Sequence, residues 1–312
     1  MQPIISVQNL TKRYKNSDKN AVDDVSFDVA QGEFFCLLGP NGAGKTTTIS
    51  ILTTTLAPTS GEACITGFDV VKQASEVRRN VGIIFQNPSL DLNLTAEENV
   101  RFHAVLYGLY SFMPSFAMMP RAYRDRVQGL AQVLGIEKEM FKPLKTFSQG
   151  MRRKLEIIRS LIHQPKVLFL DEPTIGLDPI SRRNLWDYIR RIREDRGTTV
   201  FLTTHYLDET EDADKICIIN QGKIVSFGSP TSVKADLVEE YLLLDANNRD
   251  ALRAELAKLN VPFEDQQPFK VGLGKHTTQE IIQAIQTPLS VLRTHSPTME
   301  DAYLEILRRD EA

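Results

Sequence analysis

GEFFCLLGPNGAGKT, residues 32–46, is an apolar run that passes into closely spaced glycines and ends in Lys-Thr. A continuous apolar stretch of this length suits a strand buried on both faces, and a helix is expected to start near Gly44. Between them, Gly39 to Thr46 match the spacing G-x-x-x-x-G-K-[ST] in the strand-to-helix context the motif requires. The glycines Gly39, Gly42 and Gly44 let the main chain of Pro40, Asn41 and Ala43 wrap closely around a phosphate. Amides at the helix start point at it, Lys45 adds a cation reaching the β and γ oxygens, and Thr46 offers a hydroxyl to Mg²⁺. We take Gly39 to Thr47 together as nucleotide-binding positions. The bland reading is a chance glycine-rich turn, against which the flanking strand and helix speak. Taken alone, the motif leaves kinases, GTPases, helicases and transport ATPases open.

A second apolar run, VLFLDEP at 167–173, ends in two carboxylates. The first, Asp171, is placed to reach Mg²⁺, and the second, Glu172, to orient an attacking water. As a mere strand cap the pair would need the phosphate loop to be coincidental too. TTVFLTTH at 198–205 is a further strand, and SRRNLWDYIRRIRE at 181–194 is the helix that crosses between the two.

Around this core, Ile4 to Val7 and the alternating Val25, Phe27 and Val29 predict strands of an antiparallel β layer, joined by KNSDKN. From Thr95, which forms a T-x-x-E capping box with Glu98, the pattern turns helical as far as about Leu161. CIINQGKIVSFG, 217–228, reads as a hairpin. Beyond it the order strand, helix, two short strands, helix, strand predicts a small ferredoxin-like α+β appendage ending in a further helix. The expected fold is therefore α/β, a P-loop NTPase core with an N-terminal antiparallel layer and a helical subdomain at about 90–162. The main domain would span 1–232 and the accessory domain 239–312.

The ordered set of motifs resembles the ABC ATPase family over roughly residues 3–230. Gln86 in GIIFQNPSL stands at the family's Q-loop, FSQGM at 147–151 at its signature, Asp178 in GLDP at its D-loop, and His205 in FLTTHYLDE at its switch histidine. Tyr14 stands where an aromatic stacks on adenine. The resemblance implies that Gln86 joins Thr46 and Asp171 in holding Mg²⁺ and that His205 steadies the γ-phosphate. It also implies that Ser148 and Gly150 cap the nucleotide of an opposite subunit, so two ATP molecules lie in a head-to-tail dimer. Singly, a Gln or His after a strand is more often a surface or capping group, and a Tyr there often just packs. FSQGM departs from the usual LSGGQ, Gln149 replacing a glycine, and this brings the main-chain geometry at 149 into question.

GMRRKLEI, DEPTIGLDP and SPTMEDAYLEIL resemble drug-resistance ATPase subunits, whose partners are six-helix permeases of the ABC-2 class. The resemblance thus implies ATP and Mg²⁺ as cofactors, a second ATPase subunit, an integral membrane permease, and export as the task. A soluble regulatory or DNA-associated ATPase of the same class is the alternative. Thirty-seven basic against 40 acidic residues, net −3, give no global reason to expect nucleic acid. No run approaches the ~18 apolar residues of a membrane span, and the start of the chain lacks a signal-peptide pattern. A cytoplasmic chain, peripheral to the membrane, is the expectation. Cys36, Cys64 and Cys217, with Trp186, read as core, and the remaining histidines show no metal-ligand spacing. The Met- and Phe-rich stretch 108–125 is either a loop packed on its own subdomain or a surface that receives the permease.

Overall fold

The computed structural model describes residues 2–15, 17–84, 90–204, 206–237, 240–295, 298–301 and 303–305. They form two compact units, Met1–Phe227 and Gly228–Ala312. In the first, β1 (Ile5–Arg13) and β2 (Asn20–Val29) precede β3 (Phe34–Leu38) and α1 (Lys45–Leu52). Next come β4 (Ser60–Ile65), β5 (Phe68–Asp69), α2 (Ala74–Asn80) and β6 (Val81–Ile84). Three helices follow: α3 (Ala96–Leu106), α4 (Arg121–Val133) and α5 (Gln149–Leu161). The unit closes with β7 (Val167–Asp171), α6 (Pro179–Arg196), β8 (Thr199–Thr204), β9 (Lys215–Asn220) and β10 (Lys223–Gly228).

The central sheet has the order β10-β9-β3-β8-β7-β6, and its strands from β9 through β6 pair in parallel. Every residue of β3, β7 and β8 is buried, the wholly apolar β3 and also Asp171 at the end of β7 and the threonines of β8. The antiparallel layer has four strands, β2-β1-β4-β5, two more than the sequence reading found. A ladder of rings joins the layers: Phe27 stacks on Phe35 with centroids 5.0 Å apart, Phe35 on Phe201 at 5.0 Å, and Phe201 lies 5.2 Å from Phe169. Each such buried ring stabilises the unit by about 1.5–3 kcal/mol, and the ladder fixes the sheet beneath the phosphate loop.

Thr95 caps α3 as expected, its hydroxyl accepting from Glu98 N at 3.2 Å while Glu98 returns a carboxylate to Thr95 N at 2.8 Å. One turn on, buried Arg101 pairs with buried Glu97 at 3.1 Å and donates to Met113 O at 2.6 Å, and Tyr123 Oη donates to Glu97 at 3.1 Å. This polar knot pins the 108–125 stretch to its own subdomain. Met119 is buried, whereas Phe112 and Met118 are left 56% and 58% exposed. Part of that stretch is therefore packed on its own subdomain and part is left exposed.

Two core assignments need correction. Cys64 is only partly buried because it points to the opposite face of β4 from Ala63 and Ile65. Trp186 is half-buried and stacks on Phe34 at 5.8 Å, since Leu185, Ile189 and Ile192 form the inward stripe of α6 and leave it on the flank. Cys36 and Cys217 are buried.

The second unit holds α7 (Pro230–Leu237), β11 (Tyr241–Ala246), α8 (Arg249–Lys258), β12 (Phe263–Glu264), β13 (Phe269–Gly272), α9 (Thr278–Ala284) and β14 (Leu289–His295). From β11 to β14 the order is β-α-β-β-α-β, and the antiparallel sheet β12-β13-β11-β14 is that of a ferredoxin-like fold. Its core gathers Leu242, Leu244, Leu252, Leu256, Phe269, Val271 and Ile281. Among the described residues of the whole chain, no helix is long and apolar enough to cross a membrane.

Candidate active site

The phosphate loop leaves β3 at its carboxyl end and enters α1 through Gly44, the residue before the helix, at φ 110°. That left-handed value and the approach of Ala21 O, 2.4 Å from where a Cβ would stand, both demand glycine. At Gly39 the reason is closeness alone, because a Cβ would lie 2.2 Å from Ile219 O at the end of β9. Lys45 is buried and folds back over the loop, its Nζ donating to Gly39 O at 2.6 Å and Pro40 O at 3.0 Å. Burial lowers its pKa, and the charges of Glu172 and Asp171 oppose that. A cation held by weak carbonyl acceptors among two carboxylates is poised to exchange them for phosphate oxygens. Thr46 is exposed on the first turn of α1. Tyr14, just beyond β1 and 45% exposed, hydrogen-bonds through Oη with Thr47 Oγ1 at 3.2 Å and so stands beside the loop.

Strand β8 lies between β3 and β7, so both carboxylates emerge at the same edge of the sheet as the loop. Thr203 Oγ1 donates to Asp171 Oδ1 at 2.5 Å. Burial nevertheless raises the Asp171 pKa, the Thr203 bond opposing and the charge of Glu172 adding. Glu172 is 8% exposed and has φ 49°, a conformation costing a non-glycine residue about 1–2 kcal/mol. It thus leaves the strand direction immediately after Asp171. Gln86 and His205 lie outside the described residues.

Ser148 is the N-cap of α5, its hydroxyl accepting from Met151 N at 3.2 Å. Gln149 is the first residue of the helix and is absent from the left-handed positions, so a side chain there is compatible with the signature turn. Gly150 differs: a Cβ would stand 3.0 Å from Gly176 O. Folding therefore seats the signature turn on the loop that carries Asp178. Gln149→Gly should cost no more than about 1 kcal/mol of helix stability and leave ATP turnover intact, whereas Gly150→Val should reduce it. Steady-state phosphate release checks both. Asp178 itself caps α6, accepting from Ser181 N at 2.9 Å and from the Ser181 hydroxyl. Those bonds lower its pKa.

Two side chains that support the site were missed. Glu209, buried, accepts from Thr174 and Thr204 hydroxyls at 2.6 Å each, tying the end of β8 to the segment after β7. Arg153, also buried, donates to the main-chain carbonyls of Asp171, Glu172 and Pro173 at the end of β7 and to Glu156. The readable signal was a charged i, i+3 pair on the apolar stripe of α5 that also carries Ile157 and Leu161.

A phosphate loop between a buried parallel strand and a helix, with a strand-end carboxylate pair one strand away, defines a P-loop nucleotide hydrolase. A family profile described as ABC transporter matches residues 22–175. The daunorubicin resistance ATP-binding protein DrrA3 of Streptomyces coeruleorubidus is 39% identical, over 98% of this chain and 96% of its own length. The probable multidrug ABC transporter ATP-binding protein YbhF of Escherichia coli K12 is 38% identical over 75% of this chain, which spans only 38% of YbhF. Among solved structures, the dimeric post-hydrolysis state of the ATP-binding cassette MJ0796 with ADP and Pi superposes with a TM-score of 0.65 at 25% identity, covering 72% of this chain and 98% of that one. The chain belongs to the ATP-binding proteins of ABC transporters.

Proposed function

We propose that this chain hydrolyses ATP as one half of a head-to-tail dimer and so drives a separate ABC-2-type membrane permease working as an exporter. The observation that carries the hydrolytic reading is the convergence of Lys45, Asp171 and Glu172 at one sheet edge, with Lys45 buried within reach of both carboxylates' fields. In this reading the amides of Gly39 to Thr47 and Lys45 hold the phosphates, and Tyr14 stacks on adenine. Glu172 takes up the proton of the attacking water, and His205 steadies the γ-phosphate. Thr46, Gln86 and Asp171 offer hard oxygen donors that suit Mg²⁺. When bound, Mg²⁺ supplies positive charge to the β and γ oxygens.

Ser148 and Gly150 face the nucleotide of the second copy, and Asp178 keeps the start of α6 in place beside them. The dimeric MJ0796 cassette, bound to ADP and Pi, supports the pairing of two copies. Export is supported by the names of DrrA3 and YbhF, a resistance protein and a multidrug transporter component. A permease partner places the chain at the cytoplasmic face of the membrane. Affinity purification of the full chain from membranes is expected to retain an integral protein of six helices and to raise ATP turnover over that of the chain alone. Recovery of only soluble or DNA-bound partners would overturn the transport reading.

A further inference from the structure

Three successive main-chain carbonyls at the end of β7 converge on one side chain of α5, to which no motif assigns a role. Arg153 is 4% exposed. Its Nη2 donates to Asp171 O at 3.0 Å and Glu172 O at 2.9 Å, its Nε to Pro173 O at 3.1 Å, and its Nη1 to Glu156 Oε2 at 3.2 Å. A guanidinium presents its N–H groups in a rigid planar fork, which an ammonium on a flexible stem cannot imitate. The turn so clamped is the one in which Glu172 adopts φ 49°. On its other side Glu172 N donates to Thr203 O at 3.0 Å. The residue is thus fixed by β8 through its amide and by α5 through its carbonyl.

Helix α5 is also the helix whose first turn carries Ser148 and Gly150. Any displacement of that helix pulls on the Glu172 main chain through Arg153, because packed elements joined by a rigid hydrogen-bonded fork move together. We propose that Arg153 is a positioning residue that sets the Glu172 carboxylate and transmits to it the position of the signature helix. Each chain's own hydrolytic carboxylate then responds to what its signature touches in the other copy. The inference rests on the reading of Glu172 as the group that polarises water.

The test compares Arg153→Lys and Arg153→Met with the wild-type full chain, alone and in a Glu172→Gln background. Each substitution is expected to lower kcat about tenfold or more while KM and Kd for ATP stay within about threefold, the pattern of an interaction that acts on the chemical step. Lysine is expected not to rescue, because three separated carbonyls need the fork rather than the charge. In the Glu172→Gln background the same substitutions should change residual turnover by less than about twofold, since residues acting as a unit are not additive. An unchanged kcat in Arg153→Lys would overturn the proposal. So would a full additive loss in the Glu172→Gln background, or a parallel collapse of ATP affinity and melting temperature. Should Arg153→Met not fold, Arg153→Lys keeps the charge beside Glu156 and carries the measurement. A wild-type chain without ATP turnover would overturn the hydrolytic reading and this inference together, whereas normal wild-type turnover with an unaffected Arg153→Lys sinks the inference alone.

Discussion

Glu172→Gln is expected to bind ATP normally and to lower kcat by roughly two to four orders of magnitude, the contribution of a positioned general base. The amide has the shape of the carboxylate but cannot take up a proton from water. The turn is held at its main chain: Glu172 O accepts from Arg153, and Glu172 N donates to Thr203 O. The loss should therefore fall on chemistry and leave fold and affinity intact. With hydrolysis stalled, a dimer closed around two ATP molecules should persist, and light scattering should register doubled mass only when ATP is present. A monomer with wild-type turnover would remove Glu172 from the proposed role and the dimer from the mechanism.

Lys45→Ala is expected to act one step earlier, on binding. The buried ammonium stands between two loop carbonyls and the fields of Asp171 and Glu172, so its removal leaves incoming phosphates facing two carboxylates without a cation. Truncating one partner of a buried charged contact costs about 2–5 kcal/mol, which corresponds to a loss of ATP affinity of about 30-fold or more. Equilibrium binding reads this directly. Thermal unfolding gives an independent check, because a ligand that binds only the native state raises its melting temperature in proportion to ln(1 + [L]/Kd). Wild type should gain stability in millimolar ATP, and the variant should gain little. Affinity within threefold of wild type would show that the loop amides hold the phosphates unaided.

Much of the site was legible because its chemistry is local. The glycines, Lys45 and Thr46 act within one turn of chain, so their spacing carries the geometry. The capping box at Thr95 is visible for the same reason and forms as read. The short elements between residues 60 and 84 escaped because β5 has two residues and β6 four, too few for a periodic pattern to build up. Cys64 and Trp186 were misplaced because an apolar residue type does not say which face of its element turns inward. The doubt over Gln149 dissolved only once it was placed at the first position of a helix, where a side chain meets no steric penalty.

By itself the sequence determined the phosphate loop, the strand-end carboxylate pair, the buried parallel strands and the family to which the chain belongs. Each is written in consecutive residues whose backbone preferences and burial follow from their own identity. Only the tertiary structure decided that β8 separates the loop strand from the carboxylate strand, that Gly150 rests on Gly176, and that Arg153 clamps the turn at Glu172. Arg153 and Glu172 stand 19 residues apart, and no local propensity links them. Their meeting follows from burial: carbonyls at the end of β7 must find donors away from water, and α5 packs where its guanidinium can supply them.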